Sequence, residues 1–206
     1  IGTVVTSDGW ILFHKNALAN FNDIKSTDIW VQGNRYKVES VISDDLTNFA
    51  MVKVNANSLN TLAFGDSSDF EGGEQVFVAN GVKSLVATSL YQSRAPEDAI
   101  VLPAEQFVYS WSISDIFSQE YPVINSNGEL IGYTDGQNKV IPFNHLRHLI
   151  ESSLRFEEVD YAALGVSVVQ IERVLNLDIE TSQNRNAGAL VQFVTRKSPL
   201  TDLGVI

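Results

Sequence analysis

The sequence predicts a mainly β protein, a sandwich or barrel of short antiparallel strands, followed by one helix and a second β-rich segment. Three observations carry this. Short runs rich in β-branched and aromatic residues recur through the first two thirds of the chain. Turn pairs such as Asp8-Gly9 and Gly72-Gly73 separate them, and the first helical periodicity begins only at Asn144. Many short strands with turn signals between them are the mark of sandwiches and barrels.

In order, Thr3–Ser7 and Gly9–Phe13 read as a hairpin turned at Asp8-Gly9. Asp28–Ser43 repeats the arrangement around Gly33-Asn34, and Asn48–Val54 is a further strand. A short strand at "LAFG", a loop around Gly65-Asp66-Ser67 and a strand over Gln75–Ala79 come next. Strands also fit "LVATSLYQS", "FVYSWSIS", "YPVINS", "GELIGY" and "KVIPF". In "NHLRHLIESSLRF", Leu146, Leu149, Ile150 and Leu154 fall at helical spacing, and Asn144 is placed to cap the start. His145 and His148 are expected on the surface of that helix. The charged stretch around Arg155–Asp160 reads as a domain boundary, which divides the chain into 1–157 and 158–206. Beyond it lie a strand "LGVSVVQ", a short helix "IERVLNL", a polar loop and a strand "ALVQFV".

Composition excludes several function classes. The 206 residues are 44% hydrophobic and carry a net charge of −11. Without a Lys/Arg cluster there is no footprint for a phosphate backbone, so no nucleic-acid partner is expected. Cysteine is absent, which removes thiol nucleophiles and Cys-based zinc sites. The three histidines form no HxH or HxxxH pair, so neither metal nor cofactor is expected. No apolar run reaches the ~18–20 residues of a membrane span. The chain starts without methionine and stops at "LGVI", so a piece of a longer protein is expected, with any leader or membrane tether outside it.

The order of the pieces resembles HtrA/DegP serine proteases, which have a trypsin-like fold followed by a PDZ domain. "GTVVTSDGWIL" looks like the family's opening hairpin GSGxIIxxDGYIL, and "VISDDLTNFAMVKV" is similar to SDxxTDIAVLKI around its catalytic aspartate. "LAFGDSSDFEGGEQVFVANG" resembles LxLGDSxxLxVGxxVxAIGxP, and "NSNGELIGY" matches NxxGxVIGI. "VIPFNHLRHLIESSLR" matches the AIPS helix, while "LGVSV" and "VTRKSPLTDLGV" look like PDZ segments, with Lys197 where the family has Gly. The resemblance implies two six-stranded antiparallel β-barrels over 1–157 with a C-terminal helix, then the first part of a PDZ-like domain over 158–206. It also implies a cell-envelope or other extracytoplasmic location and a homo-oligomer.

The family's catalytic residues do not carry over. The histidine of ILTNNHV falls on Asn16, the aspartate of SDxxTD on Asn48, and the serine of GNSGGPLV on Gln119. An amide has no titratable group near neutral pH and cannot take and return a proton. The glycines that follow the serine in the family are Glu120 and Tyr121, and a carboxylate there would repel a developing oxyanion. The cleft is therefore expected to be filled by Tyr121 and its neighbours. A displaced triad, His14–Asp45–Ser118, can be written. A two-residue shift moves a side chain by roughly 6–7 Å along a strand, too far for chemistry that needs sub-ångström placement. Otherwise His14 is expected to be an ordinary surface or turn histidine.

Three functions follow: an inactive binding, scaffold or regulatory subunit; an endopeptidase with displaced residues; or an inert structural or oligomerisation module. The first is the preferred expectation. A PDZ domain takes extended C-termini as an added strand, with backbone donors receiving the carboxylate. The matching loop places Leu164, Gly165 and Val166 at the peptide site, although Leu164 and Val166 fit core strand positions equally well.

Overall fold

Asp8 and Gly9 fold the chain back so that β1 (Thr3–Val4) pairs antiparallel with β2 (Trp10–His14). Gly9 is required here. Its φ is +108°, and a Cβ would lie 2.1 Å from the Val54 carbonyl oxygen. That close approach lets Gly9 O accept the Val54 N–H at 3.0 Å and seats the turn on β5 (Phe49–Val54). The next hairpin, β3 (Asp28–Val31) to β4 (Asn34–Asp44), turns through Gln32 and Gly33, both at positive φ. The sheet order is β1-β2-β5-β4-β3.

The structure, a computed structural model, describes residues 1–18, 21–67, 70–81, 84–93, 102–103, 110–156, 158–161, 164–171, 185, 187–196 and 198–202. It divides into two compact units, Ile1–Ser93 with Ser110–Asp160, and Arg94–Tyr109 with Tyr161–Ile206.

The first unit continues with β6 (Gln75–Gly81), β7 (Ser84–Ser93), β9 (Ser110–Ile113), β10 (Pro122–Ile124), β11 (Leu130–Thr134) and β12 (Lys139–Pro142). These close into a barrel of order β10-β11-β12-β9-β7-β6. The helix α1 (Arg147–Arg155) follows. One six-stranded barrel is thus closed, whereas the first sheet holds five strands and is not closed by the described residues. β1 contributes only two residues, so it is too short to reach across to β3. An apolar cavity of about 670 Å³ opens beside both edges, lined by residues that include Val4, Phe13, Ile24 and Ile29, with Trp30 at its rim 71% exposed.

β2 and β5 are buried on both faces, which explains their unbroken apolar runs. Ile11, Phe13, Val52 and Val54 fill the first sheet, and Leu12, Phe49 and Met51 point the other way. The latter pack with Leu130 and Tyr133 of β11 and with Leu146, Leu149 and Ile150 of the helix. Tyr133 is fully buried, and its hydroxyl donates to Thr3 Oγ1 at 2.5 Å, fixing β11 to β1. Val76, Val78, Leu90, Ile113, Val123, Ile131 and Val140 fill the closed barrel.

Three local expectations change. "LAFG" forms only an isolated parallel bridge, Phe64 to Leu130, with the Leu130 N–H donating to Ala63 O at 2.8 Å and the Gly65 N–H to Leu130 O at 2.9 Å. Asn144 does not cap the helix; it lies in a 3-10 turn (Phe143–His145), and Leu146 takes the cap position without a side-chain bond. The Asn144 amide donates instead to Asp66. Leu146, Leu149 and Ile150 are buried as expected, but Leu154 is exposed.

The second unit holds a three-stranded sheet, β14 (Ala189–Val194), β13 (Val166–Gln170) and β8 (Leu102–Pro103) in that order, and a short helix α2 (Pro199–Asp202). The helix expected at "IERVLNL" and the strand residues 107–109 lie outside the described residues. Among the described residues no helix is long and apolar enough to cross a membrane.

Candidate functional site

Two turns and one loop meet at the site. The first is the 3-10 turn Lys15–Ala17 that ends β2 and carries Asn16. The second joins β4 to β5 and carries Asn48 at φ +62°, a left-handed conformation that Asn tolerates better than most residues. Asp44 builds that second turn, accepting the Leu46 N–H at 2.9 Å and the Thr47 hydroxyl at 2.6 Å. Lys15 N–H donates to Asn48 O at 2.9 Å and locks the two turns together. The loop runs from β9 to β10 and carries Ser118, Gln119, Glu120 and Tyr121. Thr134 holds it: its hydroxyl donates to Gln119 O and accepts the Tyr121 N–H, each at 2.8 Å.

His14 departs most from expectation. It is not a surface residue; it is 5% exposed at the end of β2, with its ring edge-on to Phe49 at 4.8 Å between centroids. Its Nδ1 accepts the Asn16 N–H at 3.3 Å and lies 3.5 Å from Glu120 Oε1. The Asn48 amide lies 3.4 Å from Nε2. Burial lowers the pKa of His14 below the ordinary histidine value, Glu120 opposes that shift, and Lys15 adds to it. With its pKa held below the ordinary value, the imidazole is neutral at pH 7 and Nδ1 accepts the Asn16 N–H.

The three amides do not act as a set. Asn16 Nδ2 donates to Glu120 Oε1 at 3.0 Å, Asn48 faces His14, and Gln119 Oε1 accepts the Tyr121 hydroxyl at 3.1 Å. No side-chain hydrogen bond joins Asn16, Asn48 and Gln119 to one another among the described residues. The displaced set is not assembled either. Asp45 is 99% exposed at its side chain and pairs with Lys15 Nζ at 2.5 Å, away from His14. Ser118 lines the same hollow as Asn16 and Glu120, but makes no hydrogen bond to His14 among the described residues. The cleft is not filled by Tyr121, contrary to expectation. A polar hollow of about 310 Å³ remains, bordered by Asn16, Ala17, Ser118, Gln119 and Glu120. Tyr121 turns instead toward Phe117, 6.1 Å away between ring centroids.

Sequence reasoning missed two contacts. One is Glu120 as the carboxylate partner of His14 across 106 positions; no local signal marks it. The other concerns the oxyanion donors. In the trypsin arrangement these are the backbone N–H groups of the nucleophile and of the residue two before it. If Gln119 stands at the nucleophile position, as the resemblance implies, the second position is Phe117, whose N–H donates to Gln137 O at 2.8 Å. The short Asp135–Asn138 connection sets that bond, since Asp135 Oδ1 holds both Gln137 N–H and Lys139 N–H at 3.0 Å.

In the second unit, Leu164 is 52% exposed and Val166 is buried as a core residue. Gly165, at φ +68°, has its carbonyl bonded to Thr195 N–H at 2.7 Å, and a Cβ there would meet Ser198 Cβ at 2.4 Å. Its glycine therefore has a structural reason of its own. Among the described residues no cluster of His, Asp and Glu is arranged to hold a metal.

The order of strands has counterparts among solved structures. The chain aligns over its full length with an HtrA-type protease, AlgW, solved with a decapeptide, at a TM-score of 0.66 and 18% identity, covering 66% of that chain. This is the HtrA-type protease fold. Deg5 matches over 77% of this chain and 84% of its own, with a TM-score of 0.59 and 18% identity. In sequence, the chain is 23% identical over 217 residues to a probable periplasmic DegP-like serine endoprotease of Chlamydia trachomatis, covering 99% of this chain and 43% of the relative. It is also 23% identical over 227 residues to the serine endoprotease DegS of Haemophilus influenzae, covering 99% of this chain and 61% of DegS. No family model matches the chain. Its homologues are HtrA/DegP-like serine proteases, and it spans less than two thirds of these two relatives.

Proposed function

We propose that this chain is a proteolytically inactive HtrA-like protein that works by binding peptides or proteins, as a scaffold or regulatory subunit outside the cytoplasm. The observation that carries the reading is the pairing within the cleft. By the motif resemblance the positions of base, orienting acid and nucleophile fall on Asn16, Asn48 and Gln119, and each is turned to a different partner. The imidazole of His14 faces an amide and a carboxylate, and no hydroxyl among the described residues. Nucleophilic catalysis needs a base in contact with the attacking group and free donors for the oxyanion. In this proposal the hollow binds and does not cut.

The extracytoplasmic location is inferred from the DegP-like relatives, which are named periplasmic. Peptide binding is inferred from the second unit read as the start of a PDZ-like domain over 158–206, with Leu164, Gly165 and Val166 at its entry. The bound decapeptide of the AlgW structure supports that reading by analogy. Incubation with casein and with a fluorophosphonate probe tests it. The expected result is neither hydrolysis nor labelling. Turnover and labelling that both vanish on Ser118→Ala would establish the displaced-residue peptidase instead. A chain that fails to retain any member of a C-terminal peptide array would point to the inert structural or oligomerisation module.

A further inference from the structure

β7 and β9 are register partners from Leu90↔Ile113 to Ser93↔Ser110. The chain leaves this ladder at Ser93 and returns at Ser110, directly opposite, so a hairpin loop of about 2–5 residues would suffice to join them. The connection is instead the whole span 94–109, which belongs to the other compact unit. From it comes β8, which pairs antiparallel with β13 at Ser167↔Pro103 and Val168↔Leu102. On its other side β13 pairs with β14 along all five of its residues. β13 begins one residue after Gly165, so β8 lies along the edge that an incoming peptide strand would use.

We infer that the β13 edge is a strand-docking site whose resident occupant is the chain's own Leu102–Pro103 segment, and that an outside peptide binds only by displacing it. The inference rests on reading the second unit as peptide-binding. The occupant is built to be replaced. It pairs with only two of the five residues of β13, so a ligand strand running the full length gains backbone hydrogen bonds that β8 does not supply. Pro103 lacks an N–H and suits an edge strand, where it stops further pairing without adding a donor to the ladder. The ligand class is an extended, mainly apolar peptide, since the two paired residues are Leu102 and Pro103.

The test uses a fluorescein-labelled synthetic peptide of residues 97–106, EDAIVLPAEQ, against the full chain and against a variant with residues 96–107 replaced by Gly/Ser of equal length. Equal length preserves the connection between β7 and β9, and an unchanged far-UV spectrum and melting temperature confirm that the barrel is intact. With the edge self-occupied in nine of ten molecules, the replaced chain binds the peptide about tenfold more tightly than the full chain. The amides of residues 166–170 exchange faster in the replaced chain and regain protection when the peptide is added. Equal affinity for both chains overturns the inference, as does unchanged exchange in β13. Faster exchange in the replaced chain, with no member of a C-terminal peptide array bound by either chain, supports self-occupancy and sinks the peptide-binding reading alone.

Discussion

Restoring the protease residues one for one is the most direct challenge to the inactive reading. In an Asn16→His/Asn48→Asp/Gln119→Ser variant the new groups meet the wrong partners. An imidazole at position 16 faces Glu120, whose Oε1 lies 3.0 Å from the present Asn16 amide. A carboxylate at position 48 faces His14 Nε2, 3.4 Å from the present amide nitrogen. A hydroxyl at position 119 is then left with a base oriented by another carboxylate, while the Phe117 N–H stays on Gln137 O. Loss of the orienting acid costs about 10⁴ in kcat, and loss of one oxyanion donor costs about 10²–10³. Such losses do not multiply in residues that act as a unit, but the larger alone removes more than half, on a free-energy scale, of the roughly 2 × 10⁶ a triad contributes. The triple variant should therefore leave casein uncut and a fluorophosphonate probe unreacted. A histidine NMR titration should show the His14 imidazole raised by its new carboxylate neighbour. Casein hydrolysis by the triple variant, lost when the new hydroxyl is removed, would refute this reasoning.

Other expectations concern the frame of the site. In a double-mutant cycle, Tyr133→Phe and Thr3→Val each leave a buried hydroxyl unpartnered and cost about 1–3 kcal/mol, whereas the double variant costs less than their sum; additive urea midpoints would show that the bond contributes nothing. Gly9→Ala should cost more than about 2 kcal/mol because the Val54 carbonyl occupies the Cβ position, while Gly33→Ala, at φ +86° with open space around it, should cost only about 1 kcal/mol. Equal losses would refute the contact argument. Burial lowers the pKa of both His14 and His145 below the unfolded value, so the unfolded chain takes protons first. Their contribution to stability is complete above about pH 6.5 and is lost as pH falls from there through the folded values. Urea unfolding at several pH values measures that slope, and Glu120→Gln, which removes the group that raises the pKa of His14, should move its NMR titration to lower pH.

The strands were legible because their signals are local. Apolar runs buried on both faces, as in β2 and β5, and glycine turns whose φ only glycine tolerates, as at Gly9, are written within a few residues. The helix face at Leu146, Leu149 and Ile150 is periodic in the same way. What was not legible depends on partners far along the chain. The burial of His14 follows from Glu120 and Phe49, and nothing around "FHKN" distinguishes that corner from a solvated one. Asn144 satisfies the rule for a helix cap, yet a 3-10 turn intervenes and Asp66 takes its amide. The hollow beside Glu120 depends on Tyr121 turning toward Phe117, a choice set by barrel packing and not by either residue type. The pairing of β8 with β13 likewise joins residues more than sixty positions apart.

That pairing changes what counts as a module in this chain. The polypeptide passes from the first unit to the second after Ser93, returns before Ser110, and leaves again after Asp160. A protease cut or gene break near residue 160 would release a C-terminal piece without its third strand, leaving that strand attached to the other half. A stretch that begins after Asp160 would therefore present β13 with the edge that Leu102 and Pro103 cover left open.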